Sequence, residues 1–408
     1  MSLTVSCCRT ALLKSNDKLI QKKSEDGEKY VRNKNCKNGK KVEYLELIYD
    51  LIFVYMIGRN NTLIHVIENG FVAPSAFIAY VLCTLAIIQI WNFTTFYINM
   101  FGRNGIREHI FLFINMYLLY FVGQSTRIDW QAFQTQYHAA WGLTLVNIGI
   151  QYFIELRNHK NNKSNKDIIK RMSLTLFVES AFVFAAAIPI PILGTSLSAA
   201  AIIIGIILTA VSRNKSSGGQ TDFMHLTERA MLFVVFTFGE MIIAVASYFT
   251  REGKFEFGTL YFSLMAFLIV VGMFLSYEMI YDHLIDREGM YDGMPYMAIH
   301  IFIIFFMNNI TASLEFMREE DVSIMPKILF ITISIVAYFT FLFSLKGYIK
   351  ACDKLSKKMV FLMAFSTIFF ALMMLLLREN MYLNIIITVS YVFGMFGMLV
   401  KAIKYHKR

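Results

Sequence analysis

The chain is organised around the stretch Tyr44-Leu-Glu-Leu-Ile-Tyr-Asp-Leu-Ile-Phe-Val-Tyr-Met-Ile-Gly58. Its apolar character is that of a helix that crosses a membrane, yet it carries Glu46 and Asp50. The two acids are four residues apart, so their side chains lie on one face of the helix, one turn above the other. A carboxylate in hydrocarbon costs about 3 kcal/mol on insertion scales. The helix therefore either pairs these acids inside a bundle or uses them.

Composition places the whole chain in the membrane class. Of its 408 residues, 56% are hydrophobic and only 17% are charged, whereas soluble proteins carry about 25% charged residues. Apolar runs of about 20 residues recur, each long enough to cross the ~30 Å hydrocarbon core. The sequence predicts an all-α, polytopic membrane helix bundle of about twelve spans. The predicted spans are 42–66, 73–98, 108–126, 133–154, 171–188, 191–211, 225–249, 257–281, 292–316, 326–346, 358–377 and 381–402.

The distribution of basic residues predicts the orientation. If the N-terminus is cytoplasmic and twelve spans alternate, 31 of the 39 Lys and Arg residues lie inside and 7 outside, as the positive-inside rule requires. Both termini are then cytoplasmic, and residues 1–41 form a disordered basic tail. The net charge of +10 does not indicate a nucleic-acid partner, because the basic residues fall at membrane boundaries rather than on one compact face. Membrane lipids are the expected partners.

Two stretches resemble each other at a shift of 181 residues. Residues 45–59 and 226–240 both open with Leu and a nearby Glu, and both close with Gly and a charged residue. Both would run from inside to outside. This predicts two parallel six-span halves, 42–211 and 225–408, joined by a cytoplasmic linker, 212–224, as in some secondary transporters.

The second stretch contains further polar candidates. His225 and Arg229 are four residues apart and share a helix face, and Glu228 lies beside Arg229. Glu240 follows Glu228 by twelve residues, a rise of about 18 Å, so it should lie near or beyond the middle of the membrane. These positions predict charges inside the bundle that bind a substrate or an ion.

A structural explanation of the same residues also stands. The helix could start here, capped by Thr221 or Asp222, with Glu228 and Arg229 near the headgroups. A metal at His225 and Glu228 would need more ligands, and no further histidine lies nearby at ligand spacing. We therefore predict neither a metal nor another cofactor.

A second acidic pair, Glu278 and Asp282, lies at the inner end of the eighth span. Arginine stays charged in essentially any protein environment, whereas a buried carboxylate can take up a proton. Arg229 should therefore lie within salt-bridge reach of Asp50, Glu46 or Glu278, and both acidic pairs are expected to converge on it. The cluster is either a structural salt-bridge network or a site that binds a proton, a cation or a substrate.

These motifs have a family resemblance. Residues 46–54, Glu-Leu-Ile-Tyr-Asp-Leu-Ile-Phe-Val, resemble the E-L-F-F-D-L-V-F-V signature of the bacterial low-temperature-requirement A family. Residues 225–240 are similar to that family's second signature, H-L-x-E-R-x-x-L-F through L-G-E, and Trp91 and Asp282 also look like family positions. The resemblance covers nearly everything after residue 41 and implies an integral protein of the bacterial cytoplasmic membrane, linked by name to growth in the cold. It implies no settled biochemical activity.

The function favoured by these observations is a secondary transporter, coupled to protons or cations, for a small solute or ion. Asp50 and Glu240 would bind the proton or cation, and Arg229 would balance charge or contact an anionic substrate. No catalytic residue is assigned. The alternatives are an integral-membrane enzyme or lipid-modifying accessory protein, with its acids and His225 at the inner leaflet, and a channel or structural membrane protein.

Overall fold

A computed structural model describes the chain over residues 40–126, 130–159, 163–188, 190–214, 221–246, 257–289, 291–317, 319, 321–350 and 356–406. Twelve α-helices lie in these residues. They are α1 (Tyr44–Asn60), α2 (Pro74–Phe101), α3 (Ile106–Ser125), α4 (Trp130–Glu155), α5 (Lys163–Ala186), α6 (Pro191–Asn214), α7 (Phe223–Ala246), α8 (Phe257–Met279), α9 (Gly293–Phe316), α10 (Ile324–Ser344), α11 (Lys357–Leu376) and α12 (Met381–His406). Each coincides with one predicted span, and the all-α membrane bundle is confirmed.

Eight of these helices are long and apolar enough to cross a membrane by themselves. They are α2, α3, α7, α8, α9, α10, α11 and α12. Helix α1 has 17 residues, a length of about 26 Å, and a 3₁₀ turn over Asn61–His65 extends it. The number of twelve spans stays a prediction, whereas the multi-pass membrane class does not depend on it.

Local chemistry explains several helix boundaries. Helix α2 begins at Pro74 and α6 at Pro191, where proline's missing N–H costs no hydrogen bond. The predicted break between the fifth and sixth spans is thereby confirmed. Asp222 Oδ1 accepts from the His225 backbone N–H at 3.2 Å, so Asp222 caps α7, one of the two caps expected from the sequence.

A small hairpin follows α1. Strands β1 (Ile67–Glu68) and β2 (Phe71–Val72) pair antiparallel. Asn69 and Gly70 between them have φ values of 52° and 79°, as a two-residue turn with both central residues in the left-handed region requires. The Ser323 backbone N–H donates to Gly70 O at 2.6 Å, so the hairpin is attached to the segment that leads into α10.

Helix packing follows the same order in the first and the last six helices. In the first set α1 contacts α2 and α3, α3 contacts α4, α4 contacts α5, α5 contacts α6, and α6 returns to α2. In the second set α7 contacts α8 and α9, α9 contacts α10, α10 contacts α11, α11 contacts α12, and α12 returns to α8. The two circuits meet where α1 packs on α7, and where α2 packs on α7 and α9. The α1–α7 contact brings the two polar stretches of the sequence together.

The outermost surface of the bundle is apolar. On α11, Phe361, Ile368 and Leu376 expose 72%, 62% and 75% of their surface. Such side chains suit a hydrocarbon environment, so this helix faces membrane lipid.

The first described residue, Lys40, lies within the predicted tail. Its backbone N–H donates to Asp222 Oδ2 at 2.9 Å, and its Nζ donates to Gly102 O at 2.9 Å and to Ile98 O. The Lys40 ammonium thus lies at the C-terminal end of α2, where carbonyl oxygens accept from a cation favourably. The expectation of disorder therefore fails at Lys40, while residues 1–39 lie outside the described residues.

Candidate functional site

The centre of the candidate site is a fully buried arginine on α7. Arg229 is 0% exposed. Its Nε and Nη2 donate to the two carboxylate oxygens of Asp50, at 3.1 Å to Oδ2 and 2.5 Å to Oδ1. Its Nη1 donates to Glu46 Oε2. The two acids of α1 thus share one guanidinium, whose rigid fork suits this two-sided geometry, and the predicted salt bridge to Arg229 is confirmed.

Aromatic side chains enclose this ion-pair cluster of Glu46, Asp50 and Arg229. The indole Nε1 of Trp91 donates to Asp50 Oδ1 at 2.8 Å. The Trp91 ring stacks on Phe233, with ring centroids 4.3 Å apart, and Phe233 lies one turn after Arg229. Asp50 therefore accepts three hydrogen bonds. The charges are shielded from water, and electrostatic attraction is stronger in this low-dielectric interior than in water.

His225 lies at the N-terminal edge of the cluster, one turn before Arg229. Asn99 Nδ2 donates to His225 Nδ1 at 3.0 Å, so Nδ1 is the acceptor and Nε2 carries the proton. Nε2 faces Glu46 Oε2 at 3.5 Å. His225 is 0% exposed, which leaves little room for a substrate beside it. The geometry places an imidazole N–H next to an already paired carboxylate.

Charge does not balance within the ion-pair cluster. Glu46 and Asp50 contribute two negative charges and Arg229 one positive charge. Lys40 lies at the same end of the bundle, but its ammonium group donates to the Ile98 and Gly102 carbonyls at the end of α2 and is not part of the trio. A single excess negative charge therefore remains on the acid–guanidinium trio when both acids are ionised, and uptake of one proton would neutralise it.

Further along the same helices is a cavity of about 300 Å³. Its wall comes from the C-terminal halves of α1, α7 and α9, and it includes the carboxylates of Glu240 and Glu315. A Cβ at Gly58 would lie 2.4 Å from Glu240 Oε1, so only glycine lets α1 pass this carboxylate so closely. On α1 the cavity begins at Val54, four residues after Asp50, a rise of about 6 Å.

The remaining predicted residues lie apart from the ion-pair cluster. Glu228 is partly exposed, and Glu278 and Asp282 are exposed on the surface at the end of α8. The expectation that the second acidic pair converges on Arg229 is wrong. Its i,i+4 spacing defines a shared face but not the direction of that face, and at a helix end two carboxylates can reach water without a partner.

Two acids within the helices, Glu315 and Glu179, were not chosen from the sequence; Glu315 is partly buried and Glu179 is fully buried. Glu315 lines the cavity, and its Oε2 lies 3.5 Å from His65 Nε2. Glu179 on α5 is 0% exposed, and its Oε2 lies 3.5 Å from Gln89 Nε2 on α2. Among the described residues no basic side chain pairs with Glu179. An acid inside an apolar run of a predicted span is the signal that identifies it.

His300 has an ordinary structural environment. Its Nδ1 lies 2.9 Å from Tyr296 O and its Nε2 lies 3.1 Å from the Tyr277 hydroxyl. In the described part of the chain no group of three or more His, Cys, Asp or Glu side chains could hold a metal ion.

A bundle with this many bilayer-length apolar helices and with paired charges buried between two of them is a multi-pass integral membrane protein. The chain belongs to the bacterial low temperature requirement A protein (LtrA) family, whose model matches residues 41–392. The match contains both signature stretches, on α1 and on α7, and it confirms the resemblance. The comparisons with curated proteins and with solved structures give no match.

Proposed function

We propose that this protein is a secondary transporter coupled to protons or cations, located in the bacterial cytoplasmic membrane with both termini in the cytoplasm. The observation that carries the proposal is the stacking of two polar sites along one helix pair. The ion-pair cluster joins the N-terminal halves of α1 and α7, and the carboxylate-lined cavity lies between their C-terminal halves. Ionisable groups inside a membrane bundle are rare and mark transport paths or proton relays.

The roles follow from the chemistry of each group. Asp50 is held by Arg229 and Trp91 and belongs to a trio with one excess negative charge. Protonation of one acid would weaken its hold on the guanidinium and free α1 to move relative to α7. Glu240 lies in the cavity, against α1 at Gly58. Cation or proton binding there acts on the same α1–α7 contact from its other end.

The packing order supports a two-half mechanism. Both sets of six helices form the same circuit, and α1 and α7, the first helix of each, meet at the polar sites. This agrees with the proposed parallel halves 42–211 and 225–408, joined by 212–224. In transporters built from such halves, one half rocks against the other around a site at their junction.

The enzyme alternative has one observation in its favour, the buried contact between His225 Nε2 and Glu46 Oε2 at 3.5 Å. Acid–base catalysis needs both groups within reach of a substrate. His225 and Glu46 are 0% and 3% exposed, and Glu46 already pairs with Arg229. Transport therefore has the stronger support, and a channel or structural role would make no use of an excess charge beside a paired arginine.

The test is a measurement of ion-dependent charge movement. Purified protein in proteoliposomes is adsorbed to a solid-supported membrane, and the current is recorded after jumps of H⁺, Na⁺ or K⁺, each with a panel of small solutes. The expected result is a transient or sustained current that Asp50→Asn and Glu240→Gln abolish. Arg378→Gln serves as the control, because Arg378 pairs only with its exposed neighbour Glu379 among its described acidic contacts. Folded wild-type protein without any ion-dependent current would overturn the proposal.

A further inference from the structure

The polar groups on the wall of the cavity between α1, α7 and α9 are mainly hydrogen-bond acceptors. Thr237 Oγ1 donates to Phe233 O at 2.8 Å, and Thr311 Oγ1 donates to Met307 O at 3.2 Å. Each hydroxyl therefore donates its only proton to a backbone carbonyl one helical turn earlier, and its oxygen lone pairs remain free to accept a hydrogen bond. Together with the two carboxylates on its wall, the cavity offers acceptors.

The amides on the wall follow the same pattern. Asn308 Nδ2 donates to the Tyr80 hydroxyl at 2.9 Å, which leaves the Asn308 oxygen for other partners. Asn61, which follows the end of α1, is 7% exposed and lines the cavity, and its Oδ1 has no hydrogen-bond partner among the described residues. A buried carbonyl oxygen without a donor destabilises the folded protein. A ligand that donates hydrogen bonds would remove this cost.

We propose that this cavity binds a small primary ammonium ion, through Glu240, Glu315 and Asn61. An –NH₃⁺ group carries three donors and one positive charge, which matches convergent acceptors and excess negative charge. The inference rests on the proposed function, because it names the class of solute that the same site would carry. The ammonium belongs either to a free amine or to the headgroup of an ethanolamine lipid.

Size and wall composition favour a primary ammonium over a bare divalent metal ion and over a quaternary ammonium. A volume of about 300 Å³ lies at the lower end for small-molecule pockets, whereas a bare Ca²⁺ ion needs six to eight oxygens at about 2.3–2.6 Å. Quaternary ammonium groups are recognised by aromatic cages, and no described residue of this wall is aromatic. Val54, Ile57 and Ile243 supply apolar surface for a short alkyl chain.

One basic side chain, His65, competes with the ligand for the Glu315 carboxylate. His65 Nε2 lies 3.5 Å from Glu315 Oε2. Protonated His65 neutralises Glu315, whereas neutral His65 leaves that carboxylate to the ligand. Glu240 has no such neighbour among the basic residues whose contacts are described, so it carries the larger share of the binding.

The test uses n-butylammonium chloride as the probe, with full-length protein in a micelle free of ethanolamine lipid. Binding is measured by calorimetry and by the rise in thermal midpoint, which a ligand of the native state must produce. We expect saturable binding of n-butylammonium and none of 1-butanol, butyrate or tetrabutylammonium. Glu240→Gln and Asn61→Ala should weaken it on the order of tenfold or more. Glu379→Gln, an exposed acid on the turn before α12, is the matched control.

Several outcomes overturn the inference. These are equal binding of 1-butanol, unchanged affinity in folded Glu240→Gln, and stabilisation by Na⁺ or K⁺ alone with none by the amine. Repeating the titration in nanodiscs with phosphatidylethanolamine or with phosphatidylglycerol distinguishes the sources, since competition by the former identifies a headgroup ligand. Binding without ion-dependent current supports this site and refutes transport, whereas current without amine binding does the reverse.

Discussion

Removal of the buried arginine gives the sharpest test of the ion-pair cluster. Arg229→Met replaces the guanidinium by an apolar group of similar length and leaves Asp50 and Glu46 without their partner. Breaking a buried pair costs about 3–5 kcal/mol, because it strands the opposite charge. Arg229 satisfies two acids at 0% exposure, so we expect a loss toward the upper end of this range.

The double-mutant cycle with Asp50→Asn separates pairing from packing. Asp50→Asn keeps the size of the side chain and its acceptor for Trp91, but removes the charge that Arg229 neutralises. If the two side chains interact directly, the double variant should be more stable than the sum of the two losses, by on the order of 2 kcal/mol. Coupling of this size is well above that of exposed pairs.

The assay is equilibrium unfolding in mixed micelles with increasing dodecyl sulfate, followed by far-ultraviolet circular dichroism. Arg378→Met is the matched control, because its partner Glu379 lies at 3.2 Å on the surface, with side chains 49% and 74% exposed. The control should change the free energy of unfolding by less than about 1 kcal/mol. Losses that add without coupling, or an Arg229→Met loss no larger than the control, would refute the reasoning.

Three further predictions concern other parts of the chain. Glu179→Gln should leave the thermal midpoint unchanged or raise it, because it keeps the size of the side chain and removes a buried carboxyl group that has no basic partner among the described residues, whereas Glu46→Gln should lower it; a Glu179→Gln loss as large as that of Glu46→Gln contradicts this. His65 Nε2 lies 3.5 Å from Glu315 Oε2, and the imidazole forms an ion pair there only when it is protonated, so His65→Gln should lower the thermal midpoint more at acidic than at alkaline pH; a difference that grows with pH counts against the pair. Deletion of residues 1–39 should leave the thermal midpoint in detergent within about 5 °C, and a larger fall would show that this segment contributes to the fold.

Much of the bundle could be predicted because the length of an apolar run is a local property of the sequence. The contact between Arg229 and Asp50 was also predictable, since an arginine cannot lose its charge and so needs an ionised partner when it is buried. Glu278 and Asp282 show the limit of this argument, because spacing alone does not say whether a face points to the bundle or to water. The direction in which a helix face points depends on which helices pack beside it, and the spacing of residues within one helix does not specify those neighbours.

The cavity was less accessible to sequence reasoning. Asn61 lies just beyond the end of α1 and has no periodic pattern to mark it, and its role depends on where α7 and α9 pass. Only Glu240 was identified, from its depth along α7. The Asn69-Gly70 hairpin, in contrast, had a local signal, since this dipeptide favours a two-residue turn.

Helix α2 separates two buried acids on its opposite sides. Trp91 donates to Asp50 on α1, and Gln89 donates to Glu179 on α5. Two residues along a helix correspond to about 200° around its axis, so both side chains turn with a single backbone. A rotation of α2 that withdraws the Trp91 indole from Asp50 also carries the Gln89 amide away from Glu179. The two acids would then lose a hydrogen-bond donor in the same motion, although they belong to different helices and lie on different sides of α2.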